Sequence, residues 1–222
     1  MNRSLSKIVI AVLSMCVISC SNDNNDNNDN EPGSFFSIQP TSSGSHEGYE
    51  YVDLGLSVKW AICNVGDSLP YGYGDYYAWG ETETKDTFSI EAYHYAGDPN
   101  KLPDSCDVAR QKMGGNWRMP TKAEFEELLN KCDWRCTYYP KTRIYGYKVT
   151  AKNKNWMFIP LSGHKVNGYT YDTGKTGILW SSDADHIYPY VLTIYFSGNN
   201  DKNQVQRTYP FWGLPVRAVI KE

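Results

Sequence analysis

The sequence predicts an α+β fold over residues 48–222. Two segments with helical character, 104–113 and a run that begins at Thr121, lie close together in the chain, and strand-like runs follow them. Helices that come before a series of strands, rather than alternating with them, are typical of α+β domains and not of nucleotide-binding βαβ folds. A segment of this length is the size of one domain and can bury a sizeable core.

The strands are predicted from short alternating or apolar runs bounded by Gly, Asn and Asp. Residues 49–62 alternate apolar and polar side chains, with β-branched and aromatic content, and Gly55 interrupts the run. This pattern is typical of a half-buried strand. The second half of the chain contains further runs of the same kind, at 142–152, 155–163, 177–185, 190–198 and 214–222.

The two helices are predicted from their end signals. Residues 104–113 form a short helical pattern that Gly114 and Gly115 end. Thr121 and Glu124 have the spacing of a capping box, which marks the start of the second helix. The buried side of this helix is predicted at i, i+3 and i+4, by Phe125, Leu128 and Leu129.

The segment GGNWRMP, residues 114–120, connects these helices. Glycines at a helix N-terminus can hold a phosphate, but here they follow one helix and Pro120 opens the next. We therefore expect a tight joint, with Trp117 and Met119 packed inward. Arg118 is then placed to bond loop carbonyls or a carboxylate.

Residues 168–176, GYTYDTGKT, resemble a phosphate-binding loop only superficially. Five residues separate the two glycines where that motif has four, and residues 177–180 have strand character where the motif needs a helix. A polar hairpin loop is the expected structure.

The N-terminus has the pattern of an export signal. Arg3 and Lys7 precede a short apolar run, and a small residue stands before Cys20. This arrangement resembles the lipobox of bacterial lipoproteins and implies a signal peptide at 1–19, acyl chains on Cys20 and an outer-membrane location. Ordinary signal-peptidase cleavage, with Cys20 a bystander, is the alternative.

Residues 20–47 are predicted to be a disordered tether, because their first part is rich in Asn and Asp and has no apolar side chain to bury. Its aspartates resemble the acidic export signal of Bacteroidetes lipoproteins, which implies display at the cell surface. A plain spacer is the alternative.

Composition excludes some functions and draws attention to others. The formal net charge is −3 and no Lys/Arg cluster is present, so nothing points to nucleic acid. The chain has 18 Tyr and 7 Trp, residues that combine a large apolar surface with a polar group and are favoured at recognition surfaces.

Four cysteines remain after the export signal and Cys20, and an even number in an exported protein favours disulfides. Of the three possible connectivities we expect Cys63 with Cys132 and Cys106 with Cys136. A zinc site is not supported, because Cys132 and Cys136 have no second pair at ligand spacing. No metal or cofactor is predicted.

Catalytic motifs are not evident. The sequence has neither Gly-x-Ser-x-Gly nor His-Glu-x-x-His, and His164, after a strand-like run, is the best candidate base. A hydrolase of surface or dietary polysaccharide remains an alternative, since glycoside hydrolysis needs a pair of carboxylates. The candidate carboxylates are Asp75, Glu81, Glu83, Asp183 and Asp185.

Five ordered blocks carry a resemblance to a known family. They are 51–66, 75–82, 114–121, 180–182 and 213–219, which include YVDLGLSVKWA, DYYAWGET, GGNWRMPT, WSS and GLPVRAV. Together they resemble the Fibrobacter succinogenes major paralogous domain. That resemblance implies a C-type-lectin-like fold, related to formylglycine-generating-enzyme-like domains, with two short helices on a mixed, mostly antiparallel twisted sheet and long irregular loops.

The resemblance implies binding rather than catalysis. In C-type-lectin-like domains the ligand usually meets loops between late strands, which here implies a glycan or a surface protein bound by Asn199, Asn200, Asn203, Tyr209 and Trp212. Calcium-dependent sugar binding is not expected, since Trp180-Ser181-Ser182-Asp183 replaces the usual Trp-Asn-Asp. A fimbrial or other assembly subunit is a further alternative.

Overall fold

The structure is a computed structural model that describes residues 39–98, 100, 102–140, 142–195 and 203–221. Within these ranges the chain forms two α-helices, α1 (Val108–Met113) and α2 (Lys122–Lys131), with a 3₁₀ turn at Asp104–Cys106. The strands are β1 (Gly44–His46), β2 (Tyr49–Val52), β3 (Lys59–Ala61), β4 (Asp133–Tyr138), β5 (Tyr145–Thr150), β6 (Trp156–Pro160), β7 (His164–Val166), β8 (Tyr169–Tyr171), β9 (Thr176–Asp185), β10 (Tyr188–Tyr195), β11 (Gln204–Arg207) and β12 (Val219–Ile220).

The predicted α+β class is confirmed, with few helices and antiparallel pairing between all the named strands. The described strands form four small sheets, in the orders β1-β2-β3-β12, β11-β10-β9, β4-β5-β6 and β7-β8. A single sheet was expected. It is divided because several segments between sheets make only isolated bridges, such as Tyr77 with Leu214.

The folded part begins before residue 48, where the sequence analysis placed its boundary. Strand β1 pairs with β2, and Gly44 lies opposite Tyr51. Further upstream, the Thr41 amide donates to the Trp156 carbonyl at 3.1 Å. Residues 39–47 therefore belong to the fold and not to the tether, because their backbone is hydrogen-bonded to the sheets.

The predicted end signals are confirmed at the start of α2 and at the end of α1, but the predicted helix 104–113 is divided into the 3₁₀ turn and α1. Thr121 and Glu124 form the full capping box of α2, and Gly114 follows α1 with a φ of 75° that favours glycine. The side chain of Asp107, which the sequence analysis did not identify as a cap, accepts from the Arg110 amide at the start of α1. Phe125 and Leu128 are fully buried, and Leu129 is partly buried.

The joint between the helices is confirmed. Trp117 and Met119 are buried, and the Arg118 backbone exchanges two hydrogen bonds of 3.0 and 2.9 Å with Val219 of β12. The Arg118 guanidinium donates to both carboxylate oxygens of Glu124, at 2.8 and 2.5 Å. The buried Asp107 carboxylate accepts from the Met119 amide at 2.9 Å. The segment therefore fixes the helices to each other and to β12.

Residues 168–176 form no phosphate loop. Asn167 and Gly168, both with positive φ, make the tight turn between β7 and β8, which suits a two-residue hairpin connection. Strand β9 starts directly afterwards at Thr176, where a phosphate loop would need a helix. The segment contains a hairpin turn, as predicted, but Tyr169–Tyr171 form strand β8 and not a loop.

Arg217 lies at the centre of the fold, fully buried before β12. Its guanidinium donates to the Asn64 Oδ1 at 2.8 Å and to the carbonyls of Phe158 at 3.0 Å and of Ala61 at 3.1 Å, and it also bonds the Ile62 carbonyl. Burial lowers its pKa to about 10, so the side chain stays charged at neutral pH. One arginine thus connects three distant segments.

Candidate functional site

A groove of about 750 Å³ lies against the sheet β11-β10-β9. Four aromatic side chains define it, and we call it the aromatic groove: Tyr188, Tyr190, Tyr209 and Trp212. The polar side chains of Gln206, Arg207 and Thr208 also line it. A concave site that combines aromatic and aliphatic side chains with a few polar groups is a usual form of a ligand-binding site.

The groove follows from the local backbone pairing. Tyr190 of β10 pairs with Arg207 of β11, and just beyond the strand the Thr208 amide donates to the Pro189 carbonyl at 3.1 Å. The chain then turns, with the Trp212 amide donating to the Tyr209 carbonyl at 3.2 Å. This turn places Tyr209 and Trp212 beside the tyrosines of β10.

Gly213 ends this turn at a position that admits no side chain. A Cβ there would lie 2.7 Å from the ring of Phe88, closer than real Cβ contacts. The Gly213 backbone also exchanges hydrogen bonds of 2.8 and 2.9 Å with Lys165 of β7. The glycine therefore lets the 209–212 turn pack against the hairpin β7-β8.

The groove rings contact one another at open angles. The centroids of Tyr188 and Tyr209 are 5.9 Å apart with planes at 67°, and Tyr209 and Trp212 are 5.9 Å apart at 49°. Phe211 is stacked against Tyr209, with centroids 5.4 Å apart and planes at 29°. Half of Tyr209 is exposed to solvent. Tilted rings of this kind leave parts of their faces accessible.

His164 of β7 supports Trp212 from below the turn. Its ring is stacked on Trp212, 4.4 Å away at 15°, and on Tyr171 of β8, 5.6 Å away at 23°. The Nδ1 atom is buried and has no hydrogen-bond partner in the described part of the chain. Burial lowers the pKa of His164, against the opposing effect of the Asp172 carboxylate. The imidazole is therefore neutral at physiological pH.

This arrangement differs from that of a catalytic histidine. A general base in a triad is hydrogen-bonded to a nucleophile and to an orienting group. The structure shows no such bond to His164 among the residues it describes; its contacts are the two aromatic rings. The chemistry of the surroundings fits a packing role under Trp212.

The polar groups of the groove comprise one ion pair and several neutral hydrogen-bonding groups. Arg207 forms an ion pair with Asp185 at 2.7 Å, and the Gln206 amide donates to the Thr193 hydroxyl at 2.8 Å. The phenol groups of Tyr188 and Tyr209 have no hydrogen-bond partner in the described residues. These hydroxyls are free to donate to or accept from a ligand.

The structure separates the predicted ligand-binding residues into three groups. Tyr209 and Trp212 lie together in the aromatic groove. Asn203 lies at the opposite end of β10, where its Oδ1 accepts from the Tyr195 amide at 3.1 Å and its side chain lines a separate recess with Trp134. Asn199 and Asn200 lie outside the described residues. Asn203 is therefore not part of the groove.

The predicted ligand-binding set did not include the other five named residues of the groove, and Thr208 directly follows β11. Tyr188 and Tyr190 come from β10, and Gln206 and Arg207 come from β11, a strand that was not predicted. The alternation in QVQRTY was the available signal, but it is too short to distinguish a strand from a polar loop.

The five candidate carboxylates for hydrolysis each have their own partner. Glu81 accepts from the His94 amide at 2.7 Å and pairs with Lys85, whereas Glu83 pairs with Lys112 at 2.8 Å. The remaining contacts are Asp75 with the Tyr77 hydroxyl, Asp183 with the Lys122 amide and Asp185 with Arg207. Glu81 and Glu83 line the same cleft of about 810 Å³. Each of the two carboxylates is paired with a different lysine.

Cys63, Cys106, Cys132 and Cys136 are present as half-buried thiols. Burial raises the pKa of Cys63 and raises that of Cys132 to about 11, so both are protonated at neutral pH. The disulfide pairing therefore stays a prediction. Within the described ranges no three His, Cys, Asp or Glu side chains are grouped to hold a metal ion.

No described helix is long and apolar enough to cross a bilayer. No protein-family model, curated protein or solved structure matches the chain. The class that the fold and the site define is an α+β domain with an exposed aromatic groove.

Proposed function

We propose that this protein is a non-catalytic, membrane-anchored surface lipoprotein that binds a glycan or a surface protein through its aromatic groove. The observation that carries the proposal is the juxtaposition of Tyr188, Tyr209 and Trp212, tilted and partly open to solvent, beside the polar side chains of β11. Rigid aromatic rings combined with adaptable polar groups are the usual composition of recognition surfaces.

A C-type-lectin-like domain is the proposed fold family, and the contacts among the five sequence blocks support it. The Trp180 indole donates to the Tyr77 carbonyl at 2.7 Å, and the Trp79 indole donates to the Ser181 carbonyl at 2.9 Å. Arg217 bonds Asn64, and Arg118 pairs with Val219. Each block thus contacts another block, as expected if the resemblance reflects one structural unit.

The membrane anchor is proposed from the sequence alone. Cys20 and the export signal lie outside the described residues. Acyl chains on Cys20 would hold the domain at the outer membrane, because two or more chains give stable anchoring where one is marginal. The segment between Cys20 and residue 39 would separate the domain from the bilayer.

The experiment that tests the proposal is a glycan array probed with residues 21–222, with calcium and with a chelator. We expect binding that survives the chelator and that Trp212→Ala abolishes. The control is Tyr138→Ala, which removes an exposed ring on β4, outside the groove. An empty array, followed by capture of a protein from intact cells, would favour a protein ligand or an assembly subunit.

A further inference from the structure

We infer that the ligand is an uncharged, extended polysaccharide chain that fills the aromatic groove and continues over the hairpin β7-β8. This inference rests on the proposed function and makes it specific: the site binds an internal stretch of a polymer and not a single terminal sugar. Two exposed aromatic areas, joined by a rigid stack, support it.

The second aromatic area lies on β8, and we call it the hairpin patch: Tyr169 and Tyr171. The two tyrosines are two residues apart in one strand, so they point to the same side. Their centroids are 6.3 Å apart with planes at 63°, and 68% of Tyr169 and 44% of Tyr171 is exposed. Tyr138 and Tyr145 form another exposed pair, 6.3 Å apart at 79°, so what distinguishes the hairpin patch is the stacking of Tyr171 on His164.

Strand pairing connects the hairpin patch to the groove. Tyr171 lies directly opposite His164 in the β7-β8 register, and Lys165 pairs with Gly213. Trp212 therefore comes beside His164 on the next segment. The rings form a continuous row from Tyr169 at the turn of one hairpin, through His164 and Trp212, to Tyr188 at the turn of the next.

The two ends and the middle of this row differ in what they offer a ligand. In the middle, His164 is nearly parallel to its two neighbours, so these rings cover each other's faces. At the ends, interplanar angles of 63° and 67° leave ring faces open. A ligand that uses both ends must therefore extend over the stack, farther than one sugar ring reaches.

The chemistry along the row favours a neutral polyhydroxyl chain. The charges beside the groove are paired: Arg207 with Asp185 at 2.7 Å, and Lys122, whose ammonium lies 4.5 Å from the Tyr190 ring centroid, with Glu126 at 3.6 Å. Phenol groups and the Gln206 and Thr208 side chains provide donors and acceptors beside apolar ring faces. Pyranose rings present the matching combination, an apolar C–H face and hydroxyls at the rim.

The test compares a disaccharide with a hexasaccharide of the same linkage, cut from the neutral polysaccharides that bind, by titration calorimetry on residues 21–222. We expect the hexasaccharide to bind at least ~5-fold more tightly, since one added aromatic contact contributes about 1 kcal/mol or more. Tyr169→Ala should remove about this factor for the hexasaccharide and leave disaccharide binding unchanged. Tyr138→Ala, which also removes an exposed ring, should change the affinity for neither the disaccharide nor the hexasaccharide.

The outcomes separate the inference from the proposed function. Equal affinities for the two sugars and no effect of Tyr169→Ala, while Tyr209→Ala still abolishes binding, would overturn the extended ligand and leave the groove as the binding site. If no neutral polysaccharide binds and a protein is captured through Tyr209, the glycan assignment is wrong and the surface-protein form of the proposed function stands. Loss of binding in every variant, Tyr138→Ala included, would contradict both.

Discussion

Arg217 illustrates how a single side chain determines the core of this protein. Its fully buried guanidinium bonds Asn64 and the carbonyls of three other residues, and these acceptors lie in segments that are distant in the sequence. A planar fork with five N–H donors can satisfy several acceptors at once, which lysine cannot do. The sequence placed Arg217 in a block that resembles a family but gave no indication of its burial.

Replacing this arginine should therefore be costly. Arg217→Met leaves several buried acceptors without a donor, and each unsatisfied group costs about 1–3 kcal/mol. We expect a loss of about 3 kcal/mol in the free energy of unfolding, measured by urea denaturation, and only partial recovery in Arg217→Lys. The control Arg143→Met, at an exposed position, should change stability by less than ~0.5 kcal/mol. Equal losses in the two methionine variants would contradict this role of Arg217.

His164 links the stability of the aromatic stack to pH. Its folded-state pKa is lowered by burial, whereas the unfolded chain has the ordinary value of 6.5. The unfolded state therefore binds more protons between the folded value and 6.5, and stability falls as the pH decreases through this window. The groups that face the ring are Tyr171, Trp212 and, more weakly, the carboxylate of Asp172.

His164→Phe keeps a flat ring in the stack and removes the titrating group. The decrease in melting temperature between pH 7.5 and pH 5.5 should be smaller in this variant than in the wild-type protein. His94→Phe, at an exposed position, should retain the wild-type dependence. If the melting temperature of His164→Phe decreases as much as that of the wild-type protein, another group causes the pH dependence.

At the scale of elements, helices were easier to predict than strands. The capping box of α2 and the glycine after α1 are local signals, because the side chains that end a helix lie within one turn of it. Strands β1, β7, β8 and β11 are three or four residues long and are stabilised by partners elsewhere in the chain. A run that short carries almost no periodic signal.

The C-terminal run at 214–222 was predicted to be a strand, but most of it has no strand pairing. Residues 214–221 are almost entirely buried, but only Val219 and Ile220 have strand pairing. Leu214 makes an isolated bridge with Tyr77, and Arg217 bonds by its side chain. Burial, not strand structure, explains the apolar composition.

The Arg118–Glu124 pair holds α2 to the joint. Burial raises the pKa of Glu124, but hydrogen bonds from Arg118 and Thr121 more than offset this effect and hold it below its ordinary value of 4.5. The stabilising contribution is therefore complete above pH 4.5 and is lost as the pH falls through the folded value. Glu126, on the same helix, has only a 3.6 Å ion pair with Lys122 and is half exposed.

Glu124→Gln should lower the free energy of unfolding by about 1–3 kcal/mol at neutral pH, because a charge-assisted bond becomes a neutral one. The difference from the wild-type protein should shrink below pH 4.5. Glu126→Gln should cost less than ~0.5 kcal/mol at any pH. A Glu124→Gln deficit that stays constant into the acid range would contradict the assignment.

At the scale of the whole molecule, the structure brings together only some of the residues that the sequence predicted to share a site. Tyr209 and Trp212 were chosen from a loop rich in aromatic residues, and they form the groove. Asn203 was chosen from the same stretch but lies at the far end of β10. The pairing of β11 with β10 decides which residues meet, and this pairing is a tertiary property that no local pattern contains.

The proposed anchor can be tested on the full chain in its cells. Cys20→Ala removes the only proposed acylation site, so the protein should move from the membrane fraction to the soluble fraction, as measured by fractionation and immunoblotting. Cys63→Ala, which changes a cysteine of the folded domain, should leave the protein in the membrane fraction. Retention of Cys20→Ala in the membrane would contradict the lipoprotein proposal.

The most direct test of the central claim is the binding of Tyr209→Ala and Tyr138→Ala proteins to the glycan that the wild-type protein selects. The two side chains are exposed to the same extent, 50% and 52%, but only Tyr209 lies in the aromatic groove. We predict that Tyr209→Ala weakens binding by about 10-fold or more while Tyr138→Ala binds like the wild-type protein. Unchanged binding by Tyr209→Ala would contradict the assignment of the groove as the ligand site.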